Sequence, residues 1–342
     1  MPQFNWSDSI NFVKKLTLSR VVNMAQVYSS YQVSKWIKKS VQWGMPVSIS
    51  FEPTTSCNLR CPECPSGLRA FSRPTGMLSK DFFRETIDQL HKKLTYLVFY
   101  FQGEPYLNPD FLNMVQYASS RKIYTATSTN AHFLNDANAK RTVESGLDRL
   151  IISLDGTTQE VYQQYRVGGN LSKVLQGAAN IVKWKKELKS KTPFIIFQFL
   201  VVRHNEHQIA EVHRIAKEIG VDQVRLKTAQ VYDYENDPNK LIPTLTKYSR
   251  YKKDQEGKMR FKGNNQNHCW RLWHDPVITW NGIVSPCCFD KDAQHKLGNL
   301  HEQTFKELWH NKNYRQFRSK VLQSRKNIDI CANCSEGVKV WG

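Results

Sequence analysis

Six short runs of β-branched and aromatic residues alternate with segments of helical periodicity from residue 47 onward, and no other feature restricts the fold as strongly. The predicted strands cover residues 47–51, 96–101, 124–128, 149–154, 194–202 and 223–227. The predicted helices between them lie near residues 79–93, 109–121, 134–146, 171–191 and 205–219. Strands that alternate with helices form a parallel sheet with right-handed crossovers. The sequence therefore predicts an α/β fold, with a partial (β/α)6 TIM-like barrel and a small C-terminal module.

The length of 342 residues exceeds that of one typical domain, so we expect an appended module beside the barrel. Residues 1–46 are predicted to be an amphipathic helical segment, and residues 47–231 the barrel. Residues 232–268 are polar and charged, which is typical of a linker. Residues 269–342 hold five of the eight cysteines and are predicted to form the C-terminal module.

The charge of the chain favours anionic partners. Lysine and arginine number 49 against 30 acidic residues, a formal net charge of +19. The basic residues form no arginine-rich block, so a nucleic-acid substrate is not expected. The N-terminus lacks a secretory pattern, and no apolar run is long enough to cross a bilayer. We therefore expect a cytoplasmic protein whose cysteines serve metal or redox chemistry rather than disulfides.

The N-terminal segment has two interpretations. Apolar and basic residues alternate at helical spacing over residues 8–42, and residues 1–45 carry six basic side chains against one acidic. The favoured interpretation is that one apolar face covers the barrel. The residues expected on that face are Phe12, Leu16, Met24, Val27 and Trp36. The alternative is peripheral contact with an anionic membrane surface.

Three cysteines follow the first predicted strand directly. Cys57, Cys61 and Cys64, called here the N-terminal cysteines, have the spacing C-x3-C-x2-C. Three thiolates can hold three irons of a cubane and leave the fourth iron open to a ligand. A zinc site, which would require a fourth Cys or His nearby, and reduced core cysteines are the alternatives. Their position at the carboxyl end of a barrel strand favours the iron–sulfur interpretation.

This loop resembles that of the radical S-adenosylmethionine (SAM) superfamily. After the second strand, Gln102-Gly103-Glu104-Pro105 resembles the family's GGEP motif, with Gln102 in place of the first glycine. The segments after strands three and four, and the arginine at position 166, also resemble the family's SAM-contacting positions. The residues that the resemblance assigns to SAM are Gly103, Glu104, Asn130, Ser153, Asp155 and Arg166. The resemblance covers residues 47 to about 230, and it implies a catalytic 4Fe-4S cluster and reductive cleavage of SAM to a 5'-deoxyadenosyl radical.

The remaining cysteines lie near the C-terminus as a G-x4-C pattern and a C-x2-C pair. Together with Gly298-Asn299-Leu300 and Leu308-Trp309, they resemble the SPASM and Twitch extensions of radical SAM enzymes. The resemblance implies one auxiliary 4Fe-4S cluster held by four residues, called here the C-terminal cysteines: Cys269, Cys287, Cys331 and Cys334. Cys288 is the spare cysteine, and a zinc ribbon is the alternative to the cluster.

The resemblance implies an enzyme that abstracts hydrogen from its substrate and uses the auxiliary cluster to assist oxidation. An anionic small molecule, such as a sugar, an aminocyclitol or a lipid-linked compound, is slightly favoured over a peptide or protein side chain. A non-enzymatic iron–sulfur scaffold is a remote alternative. A flavodoxin or ferredoxin is expected as reductant. Four side chains near strand ends are candidate acid or base groups, although a structural role is favoured for each: His204, Lys227, Tyr232 and Asp233.

Overall fold

The computed structural model describes residues 6–263 and 266–336. Its first six strands form the barrel part of the sheet: β1 (Ser48–Phe51), β2 (Tyr96–Phe99), β3 (Tyr124–Thr129), β4 (Arg149–Ser153), β5 (Phe194–Val201) and β6 (Gln223–Thr228). Five shorter strands follow along the chain: β7 (Tyr251–Lys253), β8 (Met259–Phe261), β9 (Val277–Ile278), β10 (Ile283–Ser285) and β11 (Gly298–Asn299). Each of the six predicted strands is present, with ends that differ by no more than a few residues.

The sheet confirms the predicted α/β fold. Strands β1 to β6 are adjacent in sequence order and pair in parallel. Strand β9 pairs in parallel with the free side of β1, and β10 and β11 continue the sheet in antiparallel order. The sheet is therefore open, with β6 at one edge and β11 at the other. The strands of the predicted C-terminal module extend the barrel sheet itself.

The crossover helices pack against the sheet, and shorter helices lie in the loops and in the C-terminal region. Those of the N-terminal segment and the barrel are α1 (Trp6–Lys14), α2 (Leu18–Ile37), α3 (Pro65–Leu68), α4 (Lys80–Leu90), α5 (Phe111–Ser120), α6 (Asp136–Glu144), α7 (Gln159–Tyr165), α8 (Leu171–Glu187) and α9 (Ile209–Ile219). The C-terminal helices are α10 (Arg271–His274), α11 (Phe305–Trp309), α12 (Lys312–Ser324) and α13 (Asp329–Ala332). Asparagine caps start two of the crossover helices, because the side chains of Asn135 and Asn170 accept bonds from the backbone N–H groups of Asn138 and Lys173.

A short hairpin occupies part of the segment predicted to be a linker. Strands β7 and β8 pair in antiparallel register, Tyr251 opposite Phe261. The Tyr251 hydroxyl donates to the Val231 carbonyl at 3.1 Å and lies 2.9 Å from Oδ1 of Asn333. The hairpin is thereby fixed to both the barrel and the C-terminal region. Residues 264 and 265 of the predicted linker lie outside the described residues, as do the ends of the two terminal segments, 1–5 and 337–342.

The N-terminal helices correct the face that was expected to cover the barrel. Val27 is fully buried, as expected, but Trp36 is 83% exposed, and Phe12, Leu16 and Met24 are half-buried. The buried face of α2 is instead largely polar. Its residues are Arg20, Asn23, Val27, Ser30, Tyr31 and Ser34. None of the helices within the described residues has the length and apolarity needed to span a bilayer.

Candidate active site

A cavity of about 330 Å³ opens at the carboxyl ends of the parallel strands. The loop after β1 contributes the N-terminal cysteines, and the ends of the next strands contribute Glu104, Asn130 and Ser153. The carboxyl ends of parallel strands meet at one edge of the sheet, which is why residues far apart in sequence line one space. Five of the six predicted SAM contacts line it, Asp155 being the exception.

Gly103 allows the loop after β2 to pack closely against the loop that carries the N-terminal cysteines. Its φ of +74° is unfavourable for other residues, and a Cβ built there would lie 2.1 Å from the carbonyl oxygen of Thr54. Its N–H donates to the Ser66 hydroxyl at 2.8 Å, and the N–H of Glu104 donates to the Ser56 carbonyl at 2.8 Å. The glycine therefore allows the two loops to touch through their backbones.

Polar groups surround the sulfur atoms of the N-terminal cysteines. Nη1 of Arg166 lies 3.7 Å from Sγ of Cys61, and Nδ2 of Asn130 lies 3.9 Å from Sγ of Cys57. The backbone N–H of Leu59 donates to Cys57 Sγ at 3.4 Å. Three sulfur donors, two of them with N–H groups directed at them, fit an iron–sulfur cluster, because hydrogen bonds to the sulfurs stabilise and tune such clusters.

Burial disfavours the ionised form of two of these thiols, Cys57 and Cys61. Burial raises the pKa of Cys57 to about 11, and the nearby Glu104, Cys61 and Cys64 add to that shift. Burial also raises the pKa of Cys61, although Arg166 opposes the shift. Binding of iron would supply the positive charge that the thiolates lack.

Glu104 is held by a set of short hydrogen bonds. Its carboxylate accepts from the Thr129 hydroxyl at 2.7 Å and from the backbone N–H of Asn130 at 2.8 Å, with a longer bond from the N–H of Tyr106. The side chain is almost fully buried, and this burial raises its pKa to about 7 despite the bonds that favour the charged form. The carboxylate is thus oriented at the edge of the cavity by β3.

Arg166 reaches the cavity from the end of α7. Its Nε lies 2.5 Å from Oδ2 of Asp155, whose other oxygen accepts the backbone N–H of Leu200 at 2.7 Å. Asp155 is buried behind the cavity wall and orients the arginine. Asp155 is therefore expected to affect SAM binding indirectly, by holding Arg166 in place.

The C-terminal cysteines come from three separate segments and converge. Burial raises the pKa of Cys287 far above its ordinary value, and the charges of Cys288, Cys269 and Cys334 raise it further. Burial also raises the pKa of Cys331 to about 12, and Cys334 and Cys269 contribute to that shift. Each of the four thiols therefore lies within electrostatic range of others in the set.

A buried arginine supports this group. Nη2 of Arg325 lies 3.5 Å from Sγ of Cys334 and donates to the Glu336 carbonyl at 2.9 Å, while Nη1 donates to the His268 carbonyl at 3.0 Å. The donor set of four thiols beside a guanidinium fits a fully ligated cluster. Within residues 6–263 and 266–336, no three His, Cys, Asp or Glu side chains are grouped closely enough to hold a single metal ion.

Comparison with protein families gives matches to both regions. Residues 51–214 match the radical SAM superfamily, and residues 269–335 match SPASM, an iron–sulfur cluster-binding domain. The chain is a radical SAM enzyme with a SPASM domain. Its cofactors are accordingly a 4Fe-4S cluster and SAM, with additional iron–sulfur binding in the SPASM domain. These matches favour an iron–sulfur cluster over the zinc ribbon and an enzyme over a non-enzymatic scaffold.

Curated relatives of this radical SAM enzyme carry different activities in their names. The tungsten-containing aldehyde ferredoxin oxidoreductase cofactor-modifying protein of Pyrococcus furiosus is 25% identical over 83% of this chain and 86% of the relative. The AdoMet-dependent heme synthase of Methanosarcina barkeri is 23% identical over 84% and 91%. The mycofactocin maturase MftC of Mycobacterium ulcerans is 29% identical over 51% and 45%.

Solved structures support the fold of the radical SAM enzyme. The structure of native anSMEcpe with bound AdoMet superimposes with a TM-score of 0.61 at 19% sequence identity. The match covers 80% of this chain and 82% of that chain. At this identity the likeness shows the arrangement of elements, the partial barrel included.

The far side of the cavity in this radical SAM enzyme is basic. Lys227 of β6, Arg250 before the hairpin and Lys291 of the SPASM domain, called here the basic lining, come from three different elements. Lys291 Nζ donates to the Glu63 carbonyl at 3.3 Å, and Nε of Arg250 donates to the Thr228 hydroxyl at 2.8 Å. Among the described residues, no carboxylate forms an ion pair with any of the three.

The charge of Cys288 acts on two residues of the basic lining. Burial lowers the pKa of Lys227, and the charge of Cys288 opposes that shift. Burial likewise lowers the pKa of Lys291, while Cys64, Glu63 and Cys288 oppose it. Cys288 is thus electrostatically linked to the basic lining as well as to Cys287.

Only one residue of the basic lining, Lys227, was among the candidates predicted from the sequence. Of the four candidate acid or base groups, Lys227 lines the cavity, whereas His204, Tyr232 and Asp233 do not. Arg250 and Lys291 carry no motif, and only folding brings them to the site. Gln198, which also lines the cavity, did have a signal. It is the one polar residue in the otherwise apolar strand β5, a pattern that indicates a special position.

Proposed function

We propose that this enzyme cleaves SAM reductively and abstracts hydrogen from an anionic substrate bound against the basic lining. The observation that carries the proposal is the cavity itself, which combines the N-terminal cysteines, five of the residues assigned to SAM and three cations. When bound, the cluster and SAM supply the 5'-deoxyadenosyl radical that begins the reaction. The protein residues bind, orient and exclude water.

The SAM-side residues divide by charge. Glu104 is suited to receive the SAM amino group, and Arg166 to receive its carboxylate through a charge-assisted bond. Asp155 holds Arg166 in place, and Asn130 and Ser153 offer neutral polar contacts. The N-terminal cysteines are assigned as ligands of the catalytic cluster. The acidic and basic groups thus complement the two charged ends of the methionyl moiety.

The basic lining supports an anionic substrate. Arg250 and Lys291 are half-buried, whereas Lys227 is exposed within the cavity. Nη1 of Arg250 is buried without a hydrogen-bond acceptor among the described residues. A buried guanidinium nitrogen without an acceptor is costly, so a carboxylate or phosphate group of the substrate would supply the missing acceptor for Arg250. The site would bind such a group between the barrel and the SPASM domain.

The C-terminal cysteines are assigned to one auxiliary cluster. Lys227 and Lys291 are electrostatically linked to Cys288, the sequence neighbour of Cys287, which places the basic lining beside this group. Such a cluster would assist oxidation by accepting the electron left on the substrate. The electron for SAM cleavage would come from a small acidic redox protein such as a flavodoxin or ferredoxin, which the net charge of +19 would attract.

A small anionic molecule remains the first candidate for the substrate, because the basic residues line the same cavity as the N-terminal cysteines and the residues assigned to SAM. Modification of a peptide or protein side chain is the second, favoured by the match to the mycofactocin maturase. The three curated relatives differ in what their names say they act on, so the substrate class has to be tested directly.

The cluster assignment is tested by iron content and SAM cleavage. Anaerobically reconstituted enzyme should bind about eight irons, four per cluster, and form 5'-deoxyadenosine on reduction. Cys57→Ala should abolish cleavage, whereas Cys331→Ala with Cys334→Ala should halve the iron and keep slow cleavage without substrate. Cys288→Ala is the control and should keep all the iron. Normal cleavage by Cys57→Ala, or a double variant that keeps all its iron and loses zinc, would contradict the assignment.

The substrate class is tested by deuterium transfer. Extract from cells grown in deuterated medium is fractionated by anion exchange, and each fraction is incubated with the enzyme and unlabelled SAM. The fraction with the substrate should yield deuterated 5'-deoxyadenosine, and we expect it among the retained, anionic material. Lys227→Met should cleave SAM alone as before but give less deuterium transfer. A substrate in the unretained fraction would contradict the proposal of an anionic substrate. Loss of deuterium transfer after protease treatment of the fraction would indicate a peptide substrate.

A further inference from the structure

We propose that α1 and α2 dock on an anionic lipid surface through their exposed apolar face. Helix α2 has the reverse of the usual arrangement, because its polar side packs on the protein and its apolar side faces outward. A surface helix of a globular protein normally buries its apolar stripe. The sequence pattern of α2 therefore serves something outside the described fold.

The polar side of α2 is bonded to the body of the protein. Arg20 donates to the carbonyls of Lys15, His91 and Arg121 at 2.6 to 3.0 Å and also to that of Lys122. These bonds fix the orientation of the helix. The apolar side cannot rotate inward without breaking them.

The exposed side carries ten large apolar side chains over both helices and the segment after them. Leu18 is 81% exposed and Trp36 is 83% exposed. The other exposed apolar residues of this surface, called here the N-terminal apolar face, are Trp6, Ile10, Val13, Val21, Val22, Tyr28, Ile37 and Trp43. Contiguous exposed apolar area marks a binding surface, and tryptophan is enriched at the membrane–water boundary.

The charges of the segment select an anionic lipid over a neutral partner. Asp8 is the one acidic residue in positions 6–43, and it is buried in an ion pair with Arg149. Lys14, Lys38 and Lys39 are exposed beside the N-terminal apolar face. The outer surface of residues 6–43 thus combines large apolar side chains with basic ones and neutral polar ones such as Gln26, Ser29 and Gln32, and it exposes no acidic side chain. This composition is typical of an interfacial helix.

The location of α1 leaves the active site free during docking. Phe12 packs edge-on against Tyr124 at the start of β3, and Lys15 pairs with Asp148 just before β4 at 3.0 Å. Helix α1 therefore lies at the amino ends of the strands, whereas the cavity opens at their carboxyl ends. Substitutions on the N-terminal apolar face should leave SAM cleavage unchanged.

The test is flotation of the reconstituted enzyme with lipid vesicles. Vesicles of phosphatidylcholine with phosphatidylglycerol should carry the enzyme upward, and vesicles of phosphatidylcholine alone should bind at least tenfold more weakly. Each basic residue near an anionic surface contributes about fivefold to binding, and added salt should reduce it. Lys38→Glu with Lys39→Glu should lower binding accordingly.

Leu18→Asp with Trp36→Gln should abolish flotation at every salt concentration while SAM cleavage remains normal. Leu188→Gln with Leu245→Gln is the matched control, because both residues are exposed apolar side chains outside this face. Flotation that is unchanged in the Leu18 and Trp36 variant would overturn the proposal. So would a dimer in analytical ultracentrifugation that those substitutions dissociate, since the face would then belong to a second copy.

Discussion

Glu104 is subject to two opposing effects on its pKa, hydrogen bonding and burial. It accepts three hydrogen bonds that favour its carboxylate, yet burial raises its pKa to about 7. A binding partner with a positive amino group would favour the charged form. Proton release from Glu104 and SAM binding are therefore expected to be linked.

SAM affinity should fall as the pH is lowered from 8 to 6. Glu104 takes up a proton as the pH falls through about 7, and a neutral carboxyl loses its attraction for an ammonium group. Equilibrium dialysis of SAM against anaerobic enzyme at pH 6, 7 and 8 measures this. Glu104→Gln should bind weakly with little pH dependence over this range, and Glu302→Gln, on the surface, should resemble the native enzyme. An equally steep pH dependence in Glu104→Gln would assign the titration to another group.

Among the secondary-structure elements, the contact between the loop after β1 and the loop after β2 fixes the position of the N-terminal cysteines. Gly67 and Gly103 both lie against this loop, and a Cβ at Gly67 would come 2.6 Å from the backbone N of Cys61. The short helix α3 and the end of β2 thus enclose the N-terminal cysteines from two sides. Backbone contact at this distance leaves no space for a side chain.

Gly103→Ala should abolish SAM cleavage while the enzyme keeps its secondary structure. The added Cβ would meet the Thr54 carbonyl, so the loops would have to separate by more than 1 Å to reach ordinary contact distance. Gly257→Ala is the control, because Gly257 has a similar φ of +80° with open space around it. That change should cost about 1 kcal/mol and leave cleavage intact. Full cleavage by Gly103→Ala would mean that the loops do not need this contact.

At the scale of the whole molecule, the N-terminal helices and the C-terminal strands both join the barrel. Strand β9 extends the sheet beside β1, and the N–H of Trp280, after β9, donates to the buried Glu52 at 3.3 Å. Arg20 joins α2 to the turn after α4 and to the turn between α5 and β3. Stability should therefore depend on residues outside the barrel segment.

Arg20→Met should lower the free energy of unfolding by roughly 3 kcal/mol, because buried carbonyls lose their charged donor. Lys14→Met is the control, an exposed position where a change within about 0.5 kcal/mol is expected. Urea denaturation under anaerobic conditions, followed by circular dichroism, compares the two. Equal midpoints for both variants and the native enzyme would show that α2 contributes nothing to the stability of the barrel.

Local sequence patterns were enough to predict the six strands with five helices between them, the cysteine loop after β1 and the SPASM pattern. These depend on local periodicity and on short fixed spacings, which a chain carries wherever it folds. The assignment of Gly103 and Glu104 to SAM followed from the Gln102-Gly103-Glu104-Pro105 motif. Gln198 could have been predicted by the same logic, as the polar member of an apolar strand.

The tertiary structure alone decided which side of α2 faces the protein and which cations line the cavity. An amphipathic pattern indicates two faces, but the bonds of Arg20 across 71 to 102 positions of sequence choose the buried one. Lys227, Arg250 and Lys291 likewise meet through the packing of a strand, a hairpin and the SPASM domain. Whether a side chain is buried and whether its charge is paired depend on such long-range contacts. Local spacing in the sequence therefore does not predict them.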